Sequence, residues 1–350
     1  MTAIESPRWP NGANGAGQHI PRNYGRIRKE AIMRKQLFML SLWGLAGLLC
    51  PPALRAAHWV TGDETGSSEL GQSPAIERPV FPSTTIEAVL LRYRLKRDQV
   101  LNIVDDINTD IQMGIGPLTL NMAQNIRIEA KARITEVDLN GNISALVKIT
   151  RLKMKMSGVA NAEFDSDKPD DANPDFKAVT AMIGVGIPCK ISPVGELLET
   201  DLEPLRLAVR RVNNAALQKA LEDSTTQMFE GTFIQLSKDP IAAGQTYRAG
   251  TILSDKMKMQ TSYKIASVNS EKSKVIMEPI VVMELPADAI PDADMKIIGQ
   301  ETTGWMLFDR EKGYPTEGQM NSHVVMELTA DGQQVRMDTK TIGLSRTTVE

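Results

Sequence analysis

The chain lacks most of what catalysis commonly uses. Its 350 residues include three histidines and two cysteines, and aromatic residues make up only 5%. General acid–base catalysis draws on histidine most often, and zinc sites need clustered His or Cys. Beyond residue 56 there remain only His58, His323 and Cys189, far apart in sequence. A histidine-based triad or a zinc site is thereby excluded, and no enzyme activity or cofactor is expected. His323 lies in the strand-like "NSHVVMEL" and reads as a surface or packed histidine. Cys189 follows Pro188 in an apolar stretch with no adjacent base, so it reads as a buried, inert thiol. A single cysteine beyond residue 56 also precludes an internal disulfide.

A long apolar run is missing too. The longest, Leu37 to Cys50, has fourteen residues, short of the roughly 20 that span a bilayer as a helix. Arg34 and Lys35 precede it, Pro51 and Pro52 break it, and Ala56 offers a small residue for cleavage. Basic, apolar and small-residue regions in that order form a secretory signal peptide. Residues 33–56 are read as that signal, placing the protein outside the cytoplasm, periplasmic or extracellular. An uncleaved membrane anchor is the alternative, and the segment is the only expected membrane contact. Residues 1–32, with Gly, Pro and Asn scattered through them, read as a disordered extension or a mis-assigned start. Residues 57–84, rich in Gly, Ser, Pro and Thr, read as a flexible linker.

Basic charge is also scarce in the body. Residues 1–56 hold eight of the 40 Lys/Arg and two of the 43 Asp/Glu, leaving 32 basic against 41 acidic residues. A net charge of −9 disfavours nucleic acid, which demands clustered basic contacts to phosphate. The acidic "FDSDKPDDANPD" offers oxygen ligands at Asp165, Asp167, Asp170 and Asp171, but Asp170 and Phe176 stand where a calcium loop needs Gly and Glu. It reads as a solvated loop. The glycines of "MGIGPL" and "IGVGIP" lack the lysine of a phosphate loop. No carboxylate pair is singled out for glycoside hydrolysis.

What the chain does have is alternation. "EAVLLRYRLK" begins it, and "LNIVDDINTDIQMGI" and "LTLNMAQNIRIEAKARITEVD" continue it at unusual length, as half-buried antiparallel strands do. "DLNGN" supplies an Asn-Gly hairpin turn, with further hairpins expected around "VNSEKSK" and "TADGQQ". One helix is expected over 201–228. Thr200 and Glu203 have capping-box spacing, Pro204 sits in the first turn, and Leu202, Leu205, Val209, Val212, Ala216 and Ala220 keep helical spacing along one face.

The two sides of this helix resemble each other. "RLKMKMSG" at 151–158 matches "SDKMKMQT" at 254–261, and "GIPCKISPVGELLETD" matches "GWMLFDREKGYPTEGQ", each with a second glycine in a turn. An internal duplication is expected, with residues 85–200 and 229–350 as two β halves. The fold class is therefore mainly β (α+β), with large curved antiparallel sheets, as two related half-sheets, packed on one long amphipathic helix.

Over about residues 85–350, "FDSDKPDDANPDF", "IPCKISPVGELLE", the helix and "ETTGWMLFDREKGYPTEGQM" resemble a family of exported bacterial proteins of unassigned function. The resemblance implies curved antiparallel sheets wrapped around helix and no catalytic signature. More remotely, the architecture is similar to that of periplasmic lipoprotein carriers, which hold acyl chains between sheet and helix.

Methionine is the last oddity, eighteen against seven phenylalanines. Met154 and Met156, and likewise Met257 and Met259, share a strand face by period two. With Val209 of the helix they are the candidate lining of an apolar-ligand cleft, since methionine suits adaptable apolar surfaces. Ordinary core filling is the competing reading, and a thioether copper(I) site a third. The partner is then an apolar ligand or, alternatively, an envelope protein.

Overall fold

In a computed structural model of the chain, residues 77–81, 88–158, 161–168, 177–210, 233–253, 258–285, 293–330 and 333–350 are described. The extension, the signal segment and most of the linker lie outside them. The body is built from long strands. These are β1 (Val100–Ile115), β2 (Leu118–Val137), β3 (Ile143–Gly158), β4 (Ala162–Asp165), β5 (Ile187–Ile191) and β6 (Leu197–Thr200), followed by β7 (Thr246–Leu253), β8 (Lys258–Val268), β9 (Lys274–Glu284), β10 (Ala293–Asp309), β11 (Tyr314–Ala330) and β12 (Gln333–Val349). Two short helices are described, α1 (Lys177–Thr180) and α2 (Glu203–Val209).

All twelve strands join one antiparallel sheet, in the order β6-β5-β3-β2-β1-β12-β11-β10-β9-β8-β7, with β4 also on β3. The expected two half-sheets are thus a single sheet. The first and last long strands cause the fusion, pairing from Leu101–Val349 to Ile115–Val335. The two Lys-Met strands also take unlike places, β3 third from one edge and β8 second from the other. Turn chemistry repeats where strand position does not. Gly195 and Gly313, the second glycines of the matched segments, both hold φ +76, a backbone open to glycine at little cost.

Those two turns meet a strap. Residues 88–95 make only an isolated bridge, Val89 to Ile241, instead of the expected strand. The Tyr93 N–H donates to Pro193 O at 2.8 Å and the next N–H, of Arg94, to Gly313 O at 3.2 Å. Extended chain with one wet side alternates as a strand does, so Val89, Leu91, Tyr93 and Leu95 are all buried. Strands β5 and β10 are six steps apart, about 29 Å along a flat sheet at 4.8 Å per step. Consecutive residues of one strap reach the turns of both, so this rim of the sheet curls. The segment 233–241 completes the packing here. Tyr93 edges onto Phe233 and Phe308, with ring centroids 5.7 and 6.1 Å away. Its hydroxyl accepts the Ile234 N–H at 3.0 Å and donates to Ile234 O at 3.3 Å.

The expected capping box at the helix does not form. Thr200 is held in the β5–β6 ladder opposite Cys189, and Asp201 Oδ1 takes the Glu203 N–H at 2.9 Å. Pro204 occupies the first turn as expected, and Leu205 and Val209 are buried one turn apart. The described helix ends at Val209. The remainder expected to 228 lies in residues 211–232, outside the described residues.

The hairpin signals fared better. Asp138 folds "DLNGN" by accepting the N–H groups of Asn140 and Asn142, both at 2.9 Å, and Gly141 holds φ +79. A turn also joins β8 to β9, and β11 pairs with β12 as far as Ala330–Gln333, the two residues between lying outside the described residues.

One ladder is cut short. β10 pairs with β11 along sixteen residues but with β9 along four, Lys274–Asp309 to Met277–Met306. The Met283 N–H donates instead to the side-chain Oε1 of Gln300 at 2.9 Å, so alternate β9 nitrogens point toward β10. By period two the Pro279 nitrogen points there as well, and proline has no hydrogen to give. The ladder stops before Pro279 for that reason.

Candidate functional site

Register places side chains in rows across the sheet, because antiparallel partners share a face. One face carries Met154 and Met156 of β3. Along it, Ile297, Met326, Met337, Met113 and Leu120 stand in one row of five strands. An adjacent row holds Met295, Leu328, Val335, Ile115 and Leu118. On the other side lie Val324, Thr339, Ile111 and Met122. Methionine thus recurs on β1, β2, β3, β10, β11 and β12, always on the same face. Met113 and Met122 are buried, Met337, Met326, Ile297 and Met295 are half-buried, and Leu118 is 48% exposed, so the face opens toward the row from Met295 to Leu118.

The apolar rows end on a polar one. Ser322, Thr341, Thr109 and Gln124 lie in register, next to Met156. The Thr109 and Thr341 hydroxyls are 3.1 Å apart, and the Gln124 amide reaches Met154 Sδ at 3.4 Å. These groups carry no charge. Beyond them the apolar rows resume with Ile107, Ile126 and Met154, toward the strap and its aromatic packing.

The opposite face is ionic. Arg127 bonds both oxygens of Asp106 at 3.1 Å and Glu129 at 3.0 Å, and Lys153 meets Asp165 at 2.8 Å. Lys153 and Lys155, which alternate with Met154 and Met156, therefore lie on this wetter side.

Of the candidate lining, Met154, Met156, Met259 and Val209 are all buried. Met259 faces the same side as Met154 and pairs with Met283 at the far end of β8, several strands away. Val209 is in α2, and Met257 lies outside the described residues. Sequence reasoning missed Met113, Met122, Met326 and Met337, each the lone methionine of its own short stretch. Their signal was alternation in "DIQMGI", "LNMAQ", "VVMEL" and "VRMDT", but the row exists only once register is known.

Other candidates are accounted for by ordinary contacts. Burial pushes the Cys189 thiol up to about 12, far from a thiolate at neutral pH. His323 Nε2 sits 2.9 Å from Asp338 on a half-exposed strand surface. Asp165 and Asp167 face Arg151 and Lys153, and Asp170 and Asp171 lie outside the described residues. Among the described residues no cluster of three or more His, Cys, Asp or Glu is placed to hold a metal. No helix among them is long and apolar enough to cross a membrane, which says nothing of a β-barrel.

Residues 140–315 match the family of unknown function DUF6263. The chain belongs to that family. The match runs from the β2–β3 turn to the start of β11, so it holds the strap's two glycine turns and the interrupted β9–β10 ladder. Most of the methionine rows, on β1, β2, β11 and β12, lie outside the DUF6263 match. No curated protein matches the chain. Among solved structures it is similar to lipovitellin, described for its lipid–protein interactions, at 12% identity and TM-score 0.40, over 73% of this chain and 26% of that one. The chain therefore spans about a quarter of the lipovitellin it matches. It is also similar to an outer membrane channel from Pseudomonas putida at 8% identity and TM-score 0.23, over 73% of this chain and 98% of that one. A DUF1329 protein from Desulfovibrio piger matches at 7% identity and TM-score 0.11, over 68% and 83% of the respective chains. These superpositions are too partial to carry a functional reading, which rests on the chain's own residues.

Proposed function

We propose that the protein is exported to the cell envelope, is not an enzyme, and holds a lipid or other apolar ligand on its methionine face. One observation carries the reading. Aliphatic and thioether side chains fill two consecutive rows of the sheet and, with Thr339, a third; the outermost row is half-buried or exposed along its length, and an uncharged polar row bounds them on the inner side. Soluble proteins seldom leave so contiguous an apolar surface without a use. Thioethers adapt to varied chains, and a hydroxyl-lined row suits a ligand whose polar end is neutral.

The test is extraction. Protein recovered from the exported fraction should release an apolar compound in stoichiometric amount, and Met337→Asp should abolish its retention while the fold persists. Protein that yields no guest, and takes up no apolar probe, would end this reading.

A structural or protein-interaction module without a small ligand is the second reading. Its support is the β10 edge from Ala293 to Trp305, which among the described residues has no ladder partner on the β9 side, and unpaired strand edges recruit other chains.

A further inference from the structure

We propose that the β9–β10 seam is the passage through which an acyl chain moves from a lipid surface onto the methionine face. The inference rests on the ligand-binding reading above and adds to it a route and a docking surface.

A chain-like ligand cannot slip between strands that are fully laddered. β1–β2, β1–β12, β11–β12 and β10–β11 each pair along fourteen residues or more. β9 and β10 pair along four. Past Pro279, among the described residues, Gln300 Oε1 accepts the Met283 N–H across the seam. A contact made by one flexible side chain opens at less cost than a cooperative ladder, and segments that open locally are drawn from such weakly bonded places.

The two lips of the seam have the right chemistry. Period two sends Val281 and Met283 to the methionine face and Ile280 and Val282 to the other. Ile280 is 43% exposed and Val282 39%, and Ile298, the bulged residue of β10 just past the end of β9, is 47% exposed. Three large apolar side chains in water beside one interrupted ladder form an outer apolar lip. Met259 and Met283 on one side, with Gln300 opposite Met283 and Ile297 and Met295 farther along β10, form the inner lip. The row from Met295 to Leu118 is half-buried or exposed throughout, so a chain delivered at β10 meets an open apolar row.

Charge indicates which surface is met. The outer lip is flanked by opposite charges, Lys258 with Glu284 at 2.5 Å, and Arg78 and Lys264 with Glu278 at 2.8 and 3.4 Å. Balanced pairs give no preference for an anionic surface, so the surface is a zwitterionic one. An extended peptide adding as a strand would use the same backbone edge, but it would gain nothing from apolar groups on both sides of the seam.

Stapling the seam tests this. In the full chain carrying Cys50→Ser, the pair Met283→Cys and Gln300→Cys is joined by oxidation or by a short bis-maleimide. Transfer of a pyrene-labelled acyl lipid from phosphatidylcholine vesicles to the protein is then followed by loss of excimer emission. The stapled form should fail to take up probe on the time scale at which the reduced form completes uptake, and reduction of the disulfide should restore it. Ile280→Glu with Val282→Glu, both on exposed side chains, should slow transfer with no change in melting temperature. Equal rates for stapled and reduced protein would overturn the passage while leaving the binding reading intact. Failure of the unmodified protein to take up probe at all would remove both. A staple that leaves lipid transfer unchanged but blocks capture of an extended peptide would assign the seam to strand addition instead.

Discussion

Tyr263 and Tyr93 are both buried, yet losing the hydroxyl should have opposite effects. Tyr263 has no exposed surface, its ring lies 5.9 Å from that of Tyr247, and its hydroxyl has no hydrogen-bond partner among the described residues. Burial accordingly drives its ionisation far above the ordinary range. A polar group taken from water without a partner costs about 1–3 kcal/mol, so Tyr263→Phe should stabilise the protein by about 1 kcal/mol or more. The Tyr93 hydroxyl serves both backbone groups of Ile234, itself buried. Tyr93→Phe strands that N–H and that carbonyl, and should destabilise by about 1–3 kcal/mol. For a body of this size each kcal/mol is worth about 2–4 °C in Tm. Urea unfolding followed by the emission of buried Trp305 would measure both variants. If Tyr263→Phe loses as much stability as Tyr93→Phe, the bookkeeping of buried hydroxyls is wrong, and with it the account of how the strap is anchored.

Other perturbations separate further parts of the reasoning. Val209 has no exposed surface, so Val209→Asp should cost several kcal/mol by burying an unpartnered carboxylate; an unchanged melting temperature would put α2 on the surface. A Cβ at Gly313 would stand 2.4 Å from the Arg94 backbone nitrogen, whereas one at Gly116 meets nothing within 4 Å, though both have positive φ. Gly313→Ala should therefore lose clearly more than the roughly 1 kcal/mol of backbone strain expected for Gly116→Ala, and equal losses would mean that the strap does not rest on that turn. Asp138 is held down to about 2, chiefly by the Asn142 side-chain amide and then by backbone N–H groups and Lys190. A depressed carboxylate contributes stability above its unfolded pKa near 3.9 and loses it as pH falls toward 2, so Asp138→Ala should cost stability at pH 5 but little at pH 2. A deficit that stays constant over that range would refute the assignment.

Local features were legible in the sequence and non-local ones were not. Period two gave the long strands, and Asn-Gly gave the turn at 138–142, because both signals act between residues close in the chain. Partner choice does not. Nothing near Leu101 announces that it will lie beside Val349, and that pairing is what turns two expected half-sheets into one. The strap was read as a strand since one buried side gives the same alternation with or without a ladder. The capping box failed because the β5–β6 ladder competes for Thr200. Met154 and Met156 were visible as a pair on one strand. The row through Met113, Met337 and Met326 was invisible, since it is written once per strand and assembled only by register.

Strand length is the property that most sharply separates a filled core from a binding face. Ordinary strands run about 5–6 residues, and the strap with its aromatic neighbours would cover strands of that length at one end of the sheet. β1, β2, β3, β10, β11 and β12 run 16 to 20 residues. Over the added length they keep their alternation, so a half-exposed apolar side is maintained at a standing cost in hydrophobic free energy, about 25 cal/mol for each Å² left in water. Polar residues at Met295, Ile297, Met326, Leu328, Val335 and Met337 would preserve every backbone ladder bond and remove that cost. Replacing Met326, Leu328 and Met337 together by threonine should then leave the thermal unfolding of ligand-free protein unchanged or raised, while uptake of a fluorescent acyl probe is lost. A triple variant that melts well below the parent in the absence of any apolar compound would show these side chains to be core, and the methionine face would cease to be a site.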